Sequence, residues 1–212
     1  MEKEIVKLTL NFEEDLYLFS DAIKSQIKPL AEYQLDPIFE NNFNVEIGIG
    51  NGEFITHYAS ERKNENFLGF EIYRKIFRKA RARVQKNNLK NVRLIQYDAS
   101  FFVPLLQDNS VLNFYINFPD PWPKKKHNKR RLLKDQFLKI IAKKLVKGGK
   151  LFIATDHVDY AQDILRNLKV VFELKPQFEN YFINELIDYY PTKYYRKFAI
   201  KSQVHFFVME RI

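Results

Sequence analysis

The nine residues from Val45 to Glu53 (VEIGIGNGE) limit what this chain can become more than any other stretch. A short apolar run, Asn44 to Gly48, ends on glycine and reads as a buried strand. Gly48, Gly50 and Gly52 then fall within five positions, and the chain has only 6 glycines. Behind them, from Glu53 to Ser60, Phe54, Ile55, Tyr58 and Ala59 share one helical face. A strand, a glycine turn and a helix in that order bring a backbone close to a ligand and aim amides from a helix start. Three glycines at alternate positions exceed the needs of a turn.

The same rhythm repeats down the chain. Phe67 to Glu71 reads as a second strand, followed by Tyr73, Ile76, Phe77, Ala80 and Val84 at helical spacing. Val92 to Gln96 and Val111 to Asn117 read as the third and fourth strands. Leu133, Phe137, Ile140, Ile141 and Leu145 mark a helix expected to stop at Gly148 and Gly149 as its C-cap. Lys150 to Thr155 is a fifth strand, Tyr160 to Leu168 another helical stripe, and Val204 to Met209 a late strand. Alternating strands and helices predict an α/β fold, a mostly parallel sheet with helices on both faces. Ligands in such folds sit at the carboxyl ends of strands, near the point where strand order reverses.

The acidic residues after the strands narrow the ligand. Glu46 stands two positions before Gly48, where a carboxylate repels a pyrophosphate and suits a ligand with a cationic end. S-adenosylmethionine has an ammonium, a sulfonium and no phosphate. The spacing is G-x-G-x-G rather than the dinucleotide G-x-G-x-x-G, which disfavours NAD. Glu71, nineteen positions after Gly52, is placed to accept from ribose hydroxyls. Asp98 can hold an exocyclic amine or simply form a strand-end turn.

The segment Asn117 to Arg131 (NFPDPWPKKKHNKRR) is the most unusual. Pro119, Pro121 and Pro123 rule out helix and inner strand, so a stiff loop carries Asp120 and Trp122, the only tryptophan. Six of the eight residues from Lys124 to Arg131 are Lys or Arg. Between a rigid loop and a core helix, that run reads as a phosphate-contacting patch rather than a flexible tail. Arg74 to Lys86 holds seven cations and no acid, a second candidate surface for RNA. The net charge of +9 agrees with a polyanionic partner.

Exclusions follow from composition. With 0 cysteines there is no disulfide, thiolate metal site or cysteine nucleophile. The 4 histidines have no metal-ligand spacing, and no Ser/His/Asp pattern stands out. No run approaches the ~18 apolar residues of a membrane helix. The front of the chain lacks a signal-peptide core, so the expectation is a cytoplasmic protein with no membrane partner. Residues 1–42 read as an N-terminal extension packing on the domain or on RNA, and residues 43–212 as one domain.

VEIGIGNGEF, FLGFEI, FPDPWPKKKHNKRRL and the paired TD and PTKY segments together resemble the bacterial tRNA (guanine-N7-)-methyltransferase family, in order and spacing from Val45 onward. The proline–aspartate–basic run is the specific part; the glycine turn alone indicates only a class I methyltransferase. The resemblance implies a Rossmann-like sheet of seven strands with an antiparallel late strand. It implies methyl transfer from S-adenosylmethionine to N7 of a guanine in the tRNA variable loop, position 46 in tRNA numbering. The alternatives are another RNA site on the same fold, or a non-catalytic RNA-binding relative. It implies cofactor contacts at Glu46, Gly48, Gly50, Glu71, Asp98 and Asp120, with Asp120 catalytic. It implies tRNA contacts at Lys124, Lys126, His127, Asn128, Lys129, Arg130, Arg131, Asp156, Thr192, Lys193, Tyr194 and Tyr195. A monomer or homodimer is expected. Tyr195 stands where the family usually has Glu, so either Tyr195 stacks on the base or Asp120 or Asp156 takes over its selection.

Overall fold

In the computed structural model, residues 17–18 and 42–212 are described. Of the expected extension 1–42, all but Tyr17, Leu18 and Asn42 lie outside the described residues. β1, Tyr17–Leu18, runs parallel to the strand at Val92–Gln96. β2 is Phe43–Ile47, α1 Glu53–Glu61, β3 Asn66–Phe70 and α2 Arg74–Lys86. β4 is Val92–Gln96, α3 Ala99–Phe102 and β5 Val111–Asn117. α4 is Asp135–Lys144, β6 Leu145–Thr155 and α5 Val158–Leu168. β7 (Leu174–Pro176), β8 (Phe182–Ile183), α6 (Lys193–Lys197) and β9 (His205–Arg211) complete the chain.

The strands lie in the order β1-β4-β3-β2-β5-β6-β9-β7, with β8 beside β9. Pairing is parallel from β1 to β6, and β9 is antiparallel to β6, β7 and β8. Among the described residues, apart from the two-residue β1 and β8, seven strands remain, the number that the family resemblance implies. The chain goes from β2 outward to β4, then returns to place β5 on the other side of β2. Strand order therefore reverses between β2 and β5, and the carboxyl ends there frame a cleft.

The two sheet faces differ. Val45, Ile47, Phe114 and Ile116 point into the larger core beneath α4 and α5, with Phe137, Ile141, Tyr160 and Ile164. Ile55 and Ala59 of α1 and Phe77 and Ala80 of α2 cover the other face against Phe67, Val92 and Leu94. Because strand side chains alternate, Glu46 and Tyr115, paired in register, share the face beneath α1.

One boundary corrects the sequence reading. α4 ends at Lys144, and Leu145 is already strand, with φ −62° and ψ 140°. Gly148 and Gly149 are not its C-cap. They lie inside β6, where the partner register slips from Val111↔Leu145 to Asn113↔Lys150. Gly148 has φ 78°, and a Cβ on Gly149 would stand 2.7 Å from the Leu112 carbonyl oxygen. These glycines accommodate a bulge and a close backbone approach.

Candidate active site

The turn after β2 is built as the sequence requires. Gly48, Gly50 and Gly52 have φ of 76°, 56° and 77°. A Cβ at Gly48 or Gly50 would meet nothing within 4 Å, so that side of the turn is open to a ligand; at Gly52 it would stand 3.0 Å from the Ala80 Cα, where α2 packs. The Gly50 amide is not free. It donates to Glu71 Oε2 at 3.0 Å, while the Tyr73 amide donates to Oε1 at 2.9 Å. Glu71 thus braces the glycine turn from the end of β3, and burial raises its pKa above the usual carboxylate range.

A cleft of about 540 Å³ opens beside this turn. Gly48, Glu71, Asp98, Asn117 and Asp120 line it, with Ile72, Tyr73 and Ile76 on one side and Trp122, Lys129, Arg130 and Arg131 on another. Four of the six expected cofactor residues therefore meet in one cavity. Asp98 also caps α3, accepting from the Ser100 amide at 2.8 Å. Gly50 and Glu46 are not in the lining.

Glu46 is 3% exposed beneath the start of α1. Its Oε1 accepts from Asn117 Nδ2 at 3.5 Å, and its Oε2 has no partner. Burial pushes its pKa up to about 8, against weaker lowering by Asn117 and the Ile55 amide. The Tyr189 hydroxyl donates to Asn117 Oδ1 at 3.2 Å, so a chain of contacts links Tyr189, Asn117 and Glu46. The carboxylates that do line the cleft, Glu71, Asp98 and Asp120, with the open side of the glycine turn, fit a ligand bearing a cation and no phosphate.

The proline loop is held in an unusual backbone. Phe118 and Trp122 have φ of 50° and 45°, left-handed values on either side of Pro119–Asp120–Pro121. The Phe118 amide is tied to the Ala154 carbonyl at 2.8 Å. Arg131 Nε donates to the Pro121 carbonyl at 2.7 Å, and the Arg130 guanidinium lies 4.9 Å over the Trp122 ring. The loop's exposed Asp120 is therefore held at the cleft. Its charge contributes, after burial, to the upward shifts of both Glu71 and Tyr194. It stands between the ligand side and the far side of the site.

That far side is assembled from β6 and α6. The Tyr194 hydroxyl donates to Asp156 Oδ2 at 3.2 Å, and its ring lies 4.8 Å from Phe118. Thr192 caps α6 through the Tyr195 amide at 3.2 Å. Tyr195 is half-buried: its ring lies 5.5 Å from Tyr189, 6.2 Å from Phe118 and 6.5 Å from Phe206. Glu53 anchors the whole segment. Its Oε2 accepts from the Lys193 amide at 2.6 Å and from Arg196 at 3.1 Å, and Arg83 approaches Oε1 at 3.6 Å. Although burial works against it, the Lys193 amide, Asn51 and the two arginines hold Glu53 below the usual carboxylate range.

The basic run forms a short 3-10 helix, Lys125–Arg130. Lys124, Lys126, Lys129 and Arg130 are exposed; His127 and Asn128 are half-buried, with His127 edge-on to Trp122 at 5.9 Å. Arg131 departs from the run. It is 5% exposed, pairs with Asp163 and sits 5.0 Å over the Tyr160 ring, so it is not on the run's outer surface. Sequence spacing did not single out Glu53, Asn117 or Tyr189, because their partners lie far along the chain. The only signal was their position at strand or turn ends. Among the described residues no cluster of three or more His, Asp or Glu could hold a metal, and no helix is long and apolar enough to cross a membrane.

Residues 40–208 match the family described as "Putative methyltransferase". The chain is 41% identical over 165 residues to the tRNA (guanine-N(7)-)-methyltransferase of Wolbachia pipientis wMel, covering 77% of this chain and 72% of that protein. It is 38% identical over 169 residues to the enzyme of the same name from Thermotoga maritima, covering 79% of this chain and 53% of that protein. Among solved structures, an rRNA methylase from Streptococcus thermophilus superposes with a TM-score of 0.55 at 13% identity, over 82% of this chain and 92% of that one. A 30S ribosomal A1408 methyltransferase from an uncultured bacterium gives 0.58 at 15% identity, over 84% and 95%. At such identities these structures show a shared fold.

Proposed function

The chain belongs to the tRNA (guanine-N7-)-methyltransferase family, and on that premise we propose that it methylates N7 of a variable-loop guanine of tRNA, position 46 in tRNA numbering, in the cytoplasm. S-adenosylmethionine supplies an electrophilic methyl group. The observation that carries the reading is the meeting of Glu71, Asp98 and Asp120 around one cleft whose rim holds Lys129 and Arg130.

The residues divide the work. Glu71 and Asp98 offer carboxylates to the ribose hydroxyls and the adenine amine. The open side of the glycine turn suits the amino-acid end, with Glu46 buried behind it, outside the cleft lining. Guanine N7 is an exposed acceptor with a free lone pair. It needs no deprotonation before it takes a methyl group, so the site requires alignment more than a general base. Asp120, fixed by the strained loop, orients the base and offsets the positive charge that grows on its imidazole ring. With Tyr195 turned into the Tyr189–Phe206 cluster, the carboxylates left to read the guanine edge are Asp120 and Asp156.

The test is methyl transfer from labelled S-adenosylmethionine to unmodified tRNA, with the site mapped by cleavage at N7-methylguanine. Label at the variable-loop guanine is the expected result; label elsewhere moves the substrate to another RNA site. No transfer while the cofactor still binds overturns the proposed activity. In the same assay Asp120→Asn lowers kcat by on the order of 100-fold with tRNA affinity near that of the wild type. Equal losses in both overturn its catalytic role.

A further inference from the structure

From Ile72 to Tyr97 the chain has nine Lys or Arg and no Asp or Glu. The structure sorts these cations. Arg83 is engaged with Glu53 and the Asn51 carbonyl, and Arg81 and Arg93 have partners of their own. Arg74, Lys75, Arg78, Lys79 and Lys86 are exposed and make no ion pair with any described residue. At about 100° per residue these five fall within an arc of roughly 140° on α2. Phe77 and Ala80, both fully buried, face the opposite way.

Such an arrangement works against stability. Arg74 and Arg78, and Lys75 and Lys79, are like charges at i,i+4, and a merely solvated helix would mix signs. The face is also placed with respect to the cleft. α2 begins three residues after Glu71, and Tyr73 and Ile76 line one wall while Lys129 and Arg130 line another. Among the described residues, neither these five cations nor Lys129 and Arg130 has an ion-pair partner.

We propose that the outward face of α2 is a second binding surface for the phosphate backbone of tRNA, continuing from the cleft mouth away from the 125–130 run. This rests on the tRNA reading above. A membrane surface suits it poorly, because a helix lying on a membrane turns its apolar side outward, and α2 turns Phe77 and Ala80 inward.

The test compares a quadruple and a triple variant of the full chain: Lys75→Gln, Arg78→Gln, Lys79→Gln and Lys86→Gln on α2, and Lys125→Gln, Lys126→Gln and Lys129→Gln on the run. tRNA affinity is measured across a salt series, and S-adenosylmethionine affinity by calorimetry. The α2 variant is expected to bind tRNA at least ~10-fold more weakly at low salt. Its salt dependence should lose roughly 0.7–0.9 of slope for each contact removed, with cofactor affinity unchanged. Wild-type tRNA affinity and slope in the α2 variant, with binding lost in the run variant, overturn the proposal and leave the tRNA reading standing. Unchanged tRNA binding in both variants overturns the two together. Loss of binding to anionic phospholipid vesicles with tRNA binding intact overturns it in favour of a membrane surface. A matched loss of cofactor affinity overturns it by tracing the defect to the cleft. Lys79→Glu, a single reversal on an exposed position, is expected to weaken tRNA binding in the same direction.

Discussion

Arg131 and Arg130 are neighbours with the same charge and opposite roles. Arg130 lies on the surface over Trp122, whereas Arg131 is turned inward between the Pro121 carbonyl, Asp163 and the Tyr160 ring. Removing Arg131 takes a partner from the Pro121 carbonyl and a contact from the Tyr160 ring, while Asp163 keeps Arg166. Arg131→Ala is therefore expected to lower unfolding free energy by about 1–3 kcal/mol, read from the urea midpoint. Stability unchanged by the substitution would return Arg131 to the RNA-facing set. Trp122 shows the same commitment: with Arg130 above it and His127 at its edge, it clamps the basic run to the aspartate loop. Tyr195 likewise fills an aromatic cluster in this chain.

At the level of elements, β6 shows how a periodic pattern misleads. Leu145 continues the helical spacing of Leu133, Phe137 and Ile141, yet it is fully buried as a strand residue opposite Val111. An apolar residue satisfies either assignment, and only the sheet partner decides between them. The glycines that look like a cap instead let β6 pass close to β5. Gly149→Ala is expected to destabilise the protein by ~1–3 kcal/mol, since its Cβ would meet backbone oxygens at 2.7 and 2.9 Å that cannot swing aside. Denaturant unfolding checks it, and an unchanged midpoint would mean that β6 and β5 can separate at no cost.

Glu46 ties one group to the stability of the whole molecule. Its carboxyl titrates near 4.5 when unfolded and near 8 when folded, because burial disfavours the charge. Between those values the folded state holds a proton that the unfolded state has released. Stability from this group is thus fully present below about pH 4.5 and is lost as pH rises through about 8. The wild type should lose on the order of a few kcal/mol across that window. Glu71, also shifted upward, contributes in the same direction. Urea midpoints of the wild type and Glu46→Gln from pH 5 to 9 separate the two, with Glu46→Gln flatter and the more stable protein at the alkaline end. Parallel curves would show that Glu46 is ionised in the folded protein throughout.

Local pattern was enough for what depends on local pattern. Alternation of apolar runs, the left-handed glycines of the Val45–Glu53 turn and the three prolines around Asp120 constrain nearby backbone whatever the rest does, so strands, turn and loop were legible from the chain alone. So was the gathering of Glu71, Asp98 and Asp120 around one cleft, because the carboxyl ends of parallel strands must face the same edge. Tertiary structure alone decided who pairs with whom. It turned Arg131 inward, left Arg74, Lys75, Arg78, Lys79 and Lys86 without an ion pair to any described residue, seated Tyr195 among aromatics, and joined Glu53 to Lys193, 140 positions away. Burial and long-range contact depend on how layers pack, and identical side chains a residue apart can therefore end in water or in the core.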